Sequence, residues 1–86
     1  MIQGVNEKID VIALSKVGKG LVAPMRFRWK NRIYTVNKIG LRHPVRDGRT
    51  LHHIYSCTDG TTFFRIRCDT EQMQFTLESI SDGLPD

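Results

Sequence analysis

Apolar and polar residues alternate over short stretches along most of this chain, and glycine, proline, asparagine or aspartate separates one stretch from the next. A period of two residues is typical of a β-strand with one buried face, and no window keeps the 3.6-residue period of an amphipathic helix. The pattern therefore predicts an all-β protein of about six antiparallel strands in a meander. A meander of this length avoids open edges by curling into a small barrel or roll.

The clearest hairpin lies between Met25 and Val36. A two-residue turn at Asn31 and Arg32 would pair Trp29 with Tyr34, because asparagine tolerates the positive φ that such a turn needs. This register places the apolar side chains on one face: Phe27, Trp29, Tyr34 and Val36. It places basic side chains on the other: Arg26, Arg28 and Lys30.

A second hairpin is predicted around Asp59-Gly60, a dipeptide that commonly forms two-residue turns. That turn would pair Cys57 with Thr62 and Tyr55 with Phe64. The face opposite to these pairs carries a mixed set of side chains: His52, Ile54, Ser56, Phe63, Arg65 and Arg67.

The remaining segments complete a single domain over residues 1–86. The apolar phase slips after Val36, which predicts a β-bulge near Asn37 or Lys38. Residues 42–49 are polar and contain proline and glycine, so an exposed loop is expected there. The last strand is predicted over residues 73–80, and both ends of the chain, residues 1–7 and 81–86, are expected to fray.

The net charge and the lengths of the apolar runs indicate the kind of partner and the location of the protein. The 86 residues contain 13 Lys and Arg against 9 Asp and Glu, a net charge of +4. This excess leans towards anionic partners. No apolar run approaches the roughly 20 residues that cross a bilayer, and the N-terminus has no leader pattern. We therefore expect a cytoplasmic protein with no membrane partner.

The candidate site is a basic surface formed by the outward residues of both hairpins, with one aromatic ring among the charges. It contains seven residues, none of them acidic: Arg26, Arg28, Lys30, His52, Phe63, Arg65 and Arg67. Arginines on a sheet contact phosphates and an exposed ring can stack on a base, so DNA or RNA is the expected partner. Strand alternation alone also explains the pattern. The other alternative is a protein-interaction module or small homo-oligomer that uses residues 9–14 or Phe63.

The sequence offers no constellation for catalysis or metal binding. In the hairpin register Cys57 and Cys68 lie about 20 Å apart, too far for a shared metal or a disulfide. Both are expected to be small buried hydrophobic residues. No nucleophile motif or pair of carboxylates is present. We therefore expect no enzyme activity, no catalytic residues, no metal and no cofactor.

The run from Pro24 to Val36 fits the pattern P-x-x-F-x-W-x-x-R-x-Y-x-V. In this respect the chain resembles a small uncharacterised bacterial all-β domain, over about two-thirds of its length when the later aromatic blocks are included. It departs from that domain in having Phe75 where tryptophan is common. Such domains sometimes occur beside proteins of error-prone DNA synthesis, so the resemblance implies a nucleic-acid setting but no catalytic residues.

Overall fold

Seven strands form one antiparallel sheet in the computed structural model, which describes residues 1–15 and 22–82. In chain order they are β1 (Ile2–Ser15), β2 (Val22–Trp29), β3 (Arg32–Thr35), β4 (Lys38–Asp47), β5 (Thr50–Thr58), β6 (Phe63–Asp69) and β7 (Gln74–Ser81). Their order across the sheet is β3-β2-β1-β7-β6-β5-β4, and every neighbouring pair is antiparallel. The all-β antiparallel prediction is confirmed.

Strand β1 belongs to two halves of this sheet. Its first part pairs with β7 as far as Ile9, and its second part pairs with β2 from Asp10 onward. The register shifts once in each part, and Asn6 has a φ of 54° at the first irregularity. We call residues 2–9 with β4, β5, β6 and β7 the five-strand half, and residues 10–15 with β2 and β3 the three-strand half.

The inner faces of the two halves pack on each other through aromatic rings. The ring centroids of Phe27 in β2 and Phe64 in β6 lie 4.9 Å apart, and Tyr34 in β3 lies 5.3 Å from Phe64. Three strand positions separate β2 from β6, which in a flat sheet would hold them about 14 Å apart. The sheet therefore bends along β1, so that the two halves enclose one core. The buried members of that core are Ile9, Phe27, Val36, Tyr55, Cys57, Phe64, Ile66, Cys68, Phe75 and Leu77.

The first hairpin turns one residue earlier than predicted. Lys30 and Asn31 form the turn with φ values of 50° and 60°, and Trp29 lies opposite Arg32. Two positive φ values give the turn the twist that its flanking strands need. Phe27 therefore faces Tyr34, and the predicted pairing of Trp29 with Tyr34 is wrong.

The second hairpin has a longer loop than the two-residue turn predicted at Asp59-Gly60. Asp59 Oδ1 accepts hydrogen bonds from the backbone N–H groups of Thr61 and Thr62, at 3.0 and 2.8 Å, which stabilises a four-residue loop over residues 59–62. Cys57 consequently lies opposite Phe64 rather than Thr62. Both hairpin errors shift the partner strand by two residues. Because side chains alternate with the same period, the predicted faces survive.

The polar segment 42–49 is not an exposed loop. Residues up to Asp47 belong to β4, and a turn at Gly48 and Arg49 leads into β5. An edge strand tolerates Pro44 and polar side chains because one of its sides has no partner strand. The register shift of β4 lies between Ile39 and Leu41, around Gly40 and slightly beyond the predicted bulge.

The first residues of the chain are paired, so the prediction that residues 1–7 fray is wrong. Ile2 lies opposite Ser81 and Gly4 opposite Ser79. The Met1 ammonium group lies 2.7 Å from a carboxylate oxygen of Asp82. Pairing of the first and last strands is a non-local contact that no local pattern reports. Residues 83–86 of the tail predicted to fray lie outside the described residues.

The chain passes from β3 to β4 without leaving the sheet. Val36 N–H donates to the Met25 carbonyl at 2.9 Å, and Asn37 N–H donates to the Thr58 carbonyl at 2.8 Å. The partner therefore changes from β2 to β5 within two residues. Within the described ranges β3 and β4 are the two edges of the sheet, with no pairing between them.

Removing either ring at the centre of the packed halves should destabilise the fold. We expect Phe27→Ala and Phe64→Ala each to lower the free energy of unfolding by about 3–5 kcal/mol, because each leaves a cavity among buried rings. Phe63→Ala is the matched control. Its ring is 49% exposed on the outer face, and we expect a loss below about 1 kcal/mol. Urea unfolding measures all three, and equal losses for Phe63 and Phe64 would contradict this packing.

Candidate binding surfaces

The arginines predicted to form one basic surface lie on two opposite sides of the molecule. Phe27 of β2 and Phe64 of β6 both point inward and touch. The outward residues of the two strands must then point away from each other. Arg26 and Arg28 therefore face one side, while Arg65 lies on the other with Phe63, His52 and Arg67. The prediction of a single contiguous basic face is wrong.

Acidic partners lie beside three of these arginines. An oxygen of Asp10 on β1 lies 2.9 Å from Arg28 Nη2. The two oxygens of Glu78 on β7 lie 3.0 Å from Arg65 Nε and 2.9 Å from Arg67 Nη2. The seven predicted residues include no acid, but the neighbouring strands β1 and β7 place Asp10 and Glu78 beside them. Asp10 and Glu78 lie beside these arginines because of the order of the strands in the sheet.

Glu78 reaches both arginines because of a local irregularity in β7. Arg65 lies opposite Ser79 but Ile66 lies opposite Leu77, so Glu78 is the extra residue of a bulge. The side chain of Glu78 is only 17% exposed. A half-buried carboxylate that accepts from two guanidinium groups holds the side chains of Arg65 and Arg67 in place.

Two other predicted site residues have local roles. Lys30 lies in the first turn, and its Nζ is 4.8 Å from the centroid of the Trp29 ring, a cation–π contact. His52 is half-buried on the outer face of β5, and within the described residues its Nδ1 atom has no hydrogen-bond partner. The neighbouring outward residue Ile54 is 2% exposed, between its cross-strand neighbours His43 and Arg67.

A groove of about 560 Å³ crosses the outer face of the five-strand half. Three large apolar side chains of the groove are exposed: Phe63 by 49%, Leu41 by 58% and Ile2 by 62%. The groove also contains two cations, Lys38 and Arg65, and none of its described lining residues is acidic. The described residues that line the groove are Ile2, Lys38, Gly40, Leu41, Ser56, Cys57, Thr58, Phe63, Phe64, Arg65, Ser79 and Ser81.

Two cross-strand rows of residues produce the shape of the groove. One row reads Ile2, Ser81, Phe63, Thr58 and Lys38, and the next reads Gly4, Ser79, Arg65, Ser56 and Leu41. Small hydroxyl residues on β5 and β7 alternate with large residues on β6, on β4 and at Ile2 of β1, which leaves depressions on the sheet face. Alternation along the strands predicts the outward positions of Phe63 and Arg65. It does not predict that Ile2, Lys38 and Leu41 join them, because those positions depend on β1 and β4.

The cysteines are free and buried, as predicted. Burial raises the pKa of the Cys57 thiol to about 12. Burial, and then the nearby charge of Asp69, raises the pKa of the Cys68 thiol. Cys68 lies opposite His53, so the cysteines are about 13 Å apart along β5 rather than 20 Å.

His53 is the titratable side chain directly opposite Cys68. Burial, and then the positive charge of Arg42, lowers the pKa of His53. The neutral imidazole is therefore favoured beside the protonated thiol. Within residues 1–15 and 22–82, no group of three or more histidine, cysteine or acidic side chains is arranged to hold a metal ion.

These features define a small antiparallel β domain with a cationic groove on one outer face. Comparisons of the chain with protein-family models, with curated proteins and with solved structures found no match. Across the described part of the chain, no helix has the length and apolar character that spanning a membrane requires.

Thiol chemistry tests the packing of the cysteines. A raised pKa leaves very little thiolate at pH 8, so we expect the folded protein to react with Ellman's reagent more than about 100-fold slower than the unfolded chain. Unfolding in guanidinium chloride is the control and should release both cysteines. Rapid labelling of either cysteine in the folded protein, without unfolding, would contradict the buried positions.

Proposed function

We propose that this domain is a non-catalytic module that binds single-stranded nucleic acid in the groove. The observation that carries the proposal is the position of Phe63. Its ring is 49% exposed on a sheet face, although a polar residue would suit an outward strand position better. An exposed ring beside cations is the usual platform on which an unpaired base stacks.

Charge supports an anionic partner. Lys38 and Arg65 lie in the groove with no acid in its described lining. Glu78 offsets part of the local charge, but one carboxylate serves both Arg65 and Arg67, so the cluster keeps a net positive charge. Cations spaced along a groove can follow a phosphate backbone.

The floor of the groove favours single strands over a duplex. Ser56 and Ser79 bring hydroxyl groups near the groove on either side of Arg65, where they suit hydrogen bonding to phosphates or base edges. The apolar side chains of Ile2 and Leu41 suit the faces of unstacked bases. The paired bases of a duplex keep those faces hidden.

A peptide segment of another protein is the second candidate occupant. Three exposed apolar side chains in one groove, Ile2, Leu41 and Phe63, are the observation that favours it. This candidate predicts that oligonucleotides do not bind, so the experiment below separates the two.

We further infer that the bent sheet closes as a small barrel. We also infer that the protein is located in the cytoplasm. The barrel is supported by the ring contact between β2 and β6 and by the change of hydrogen-bond partner from β2 at Val36 to β5 at Asn37. The structure has seven strands where the pattern predicts about six, because β4 contains most of the predicted loop 42–49. The cytoplasmic location rests on the sequence pattern alone.

Binding of a fluorescent eight-nucleotide single strand, followed by anisotropy at low salt, tests the function. We expect Phe63→Ala to weaken binding about 5- to 100-fold, the loss of one stacked base. Lys38→Glu should also weaken binding and flatten its salt dependence. Wild-type protein that binds neither DNA nor RNA at low salt would overturn the proposal.

Matched controls separate the groove from general charge. Arg49→Glu makes the same charge change as Lys38→Glu, about 30 Å away at the other end of the β4–β5 hairpin. Met73→Ala removes an apolar side chain that is 50% exposed outside the groove lining. Both should leave binding near the wild-type value. Equal losses for Lys38→Glu and Arg49→Glu would mean that net charge, rather than the groove, binds the strand.

A further inference from the structure

The outer face of the three-strand half is more apolar than the solvent-facing side of an antiparallel sheet usually is. Its exposed side chains include Ile12, Ile33 and Leu14, which are 63%, 59% and 44% exposed. Ile12 lies opposite Arg26, and Ile33 lies opposite Arg28. The outward face of an antiparallel strand is normally polar, so this run of isoleucine and leucine marks a surface suited to a partner.

Charges of both signs accompany the apolar residues of this face. The Asp10 side chain is 81% exposed and lies next to Arg28. Arg26 has no acidic partner within the described residues. A depression of about 180 Å³ lies between Asp10, Ile12, Arg26 and Ile33. The face therefore carries the Asp10–Arg28 ion pair, a second cation at Arg26 and an apolar centre within a few residues.

We propose that this face is a two-fold symmetric interface between two copies of the chain. In such an interface every contact between two different residues occurs twice, once on each side of the axis. A face that carries both charge signs can therefore pair with itself. Ile12 and Ile33 pack against those of the second copy, and Arg26 of each copy reaches Asp10 of the other. The groove does not suit this pairing, because the charged residues of its described lining, Lys38 and Arg65, are both cations and would meet like charges.

The proposed dimer leaves both grooves accessible. The outer face of the three-strand half and the groove point in opposite directions, because the inner faces of β2 and β6 touch. A dimer built through the three-strand halves therefore carries two grooves on its outer sides. The proposed dimer does not depend on nucleic-acid binding, and its formation is measured without any nucleic acid.

Light scattering after size exclusion, between about 1 µM and 1 mM protein, tests this interface. We expect a mass that rises from monomer to dimer with concentration. Ile33→Asp should raise the dissociation constant at least about 50-fold, because it would bury a charge in the apolar centre. Leu41→Asp is the matched control: Leu41 is 58% exposed in the groove, and its replacement should leave the dimer unchanged.

Reversing the charge of Arg26 in one variant and of Asp10 in another tests the two-fold arrangement. Arg26→Asp and Asp10→Arg should each weaken self-association about tenfold, because each places like charges together twice. An equimolar mixture of the two variants should restore a dimer, since each introduced charge then meets its opposite. Thermal unfolding checks that all variants fold. A wild type that stays monomeric to 1 mM, or a mixture that stays monomeric, would overturn the proposed interface.

Discussion

The contact between Phe27, Tyr34 and Phe64 determines which strands face each other across the core. Phe27 stacks on Tyr34 with ring centroids 5.1 Å apart, and both rings meet Phe64 across the core. The seven strands follow one another in a single sheet. A buried core forms between its two halves because these rings bring β2 and β3 over β6. The hydrogen bond from Trp29 Nε1 to Glu7 Oε2, at 3.1 Å, ties the same halves together at the edge of the core.

This packing divides the outward surface into two faces with different chemistry. The five-strand half presents a groove with cations, hydroxyl groups and Phe63, and the acid beside Arg65, Glu78, is shared by two arginines. The three-strand half presents isoleucines with both charge signs. The first face suits an anionic partner and the second suits a copy of itself. The distinction depends on which acids the sheet places beside which arginines.

Local alternation was sufficient to predict the strands from β2 onward, apart from β4, and the faces of their side chains. Even wrong turns at Asn31 and Gly60 preserved the faces, because both shifted the register by two. Alternation was insufficient wherever the partner is distant in sequence. The pairing of Ile2 with Ser81, the place of β4 at an edge, and the salt bridges of Arg28 and Arg65 all depend on β1 lying between β2 and β7.

Nuclear Overhauser spectroscopy of the aromatic protons measures whether the inner faces of β2 and β6 touch. With ring centroids 4.9 Å apart, Phe27 and Phe64 should show strong cross-peaks between their ring protons. Cross-peaks from Phe27 to Tyr34 alone would be expected of any β2–β3 hairpin. If the Phe27 ring shows those but none to Phe64, the two halves do not pack, and the division into opposite faces is wrong.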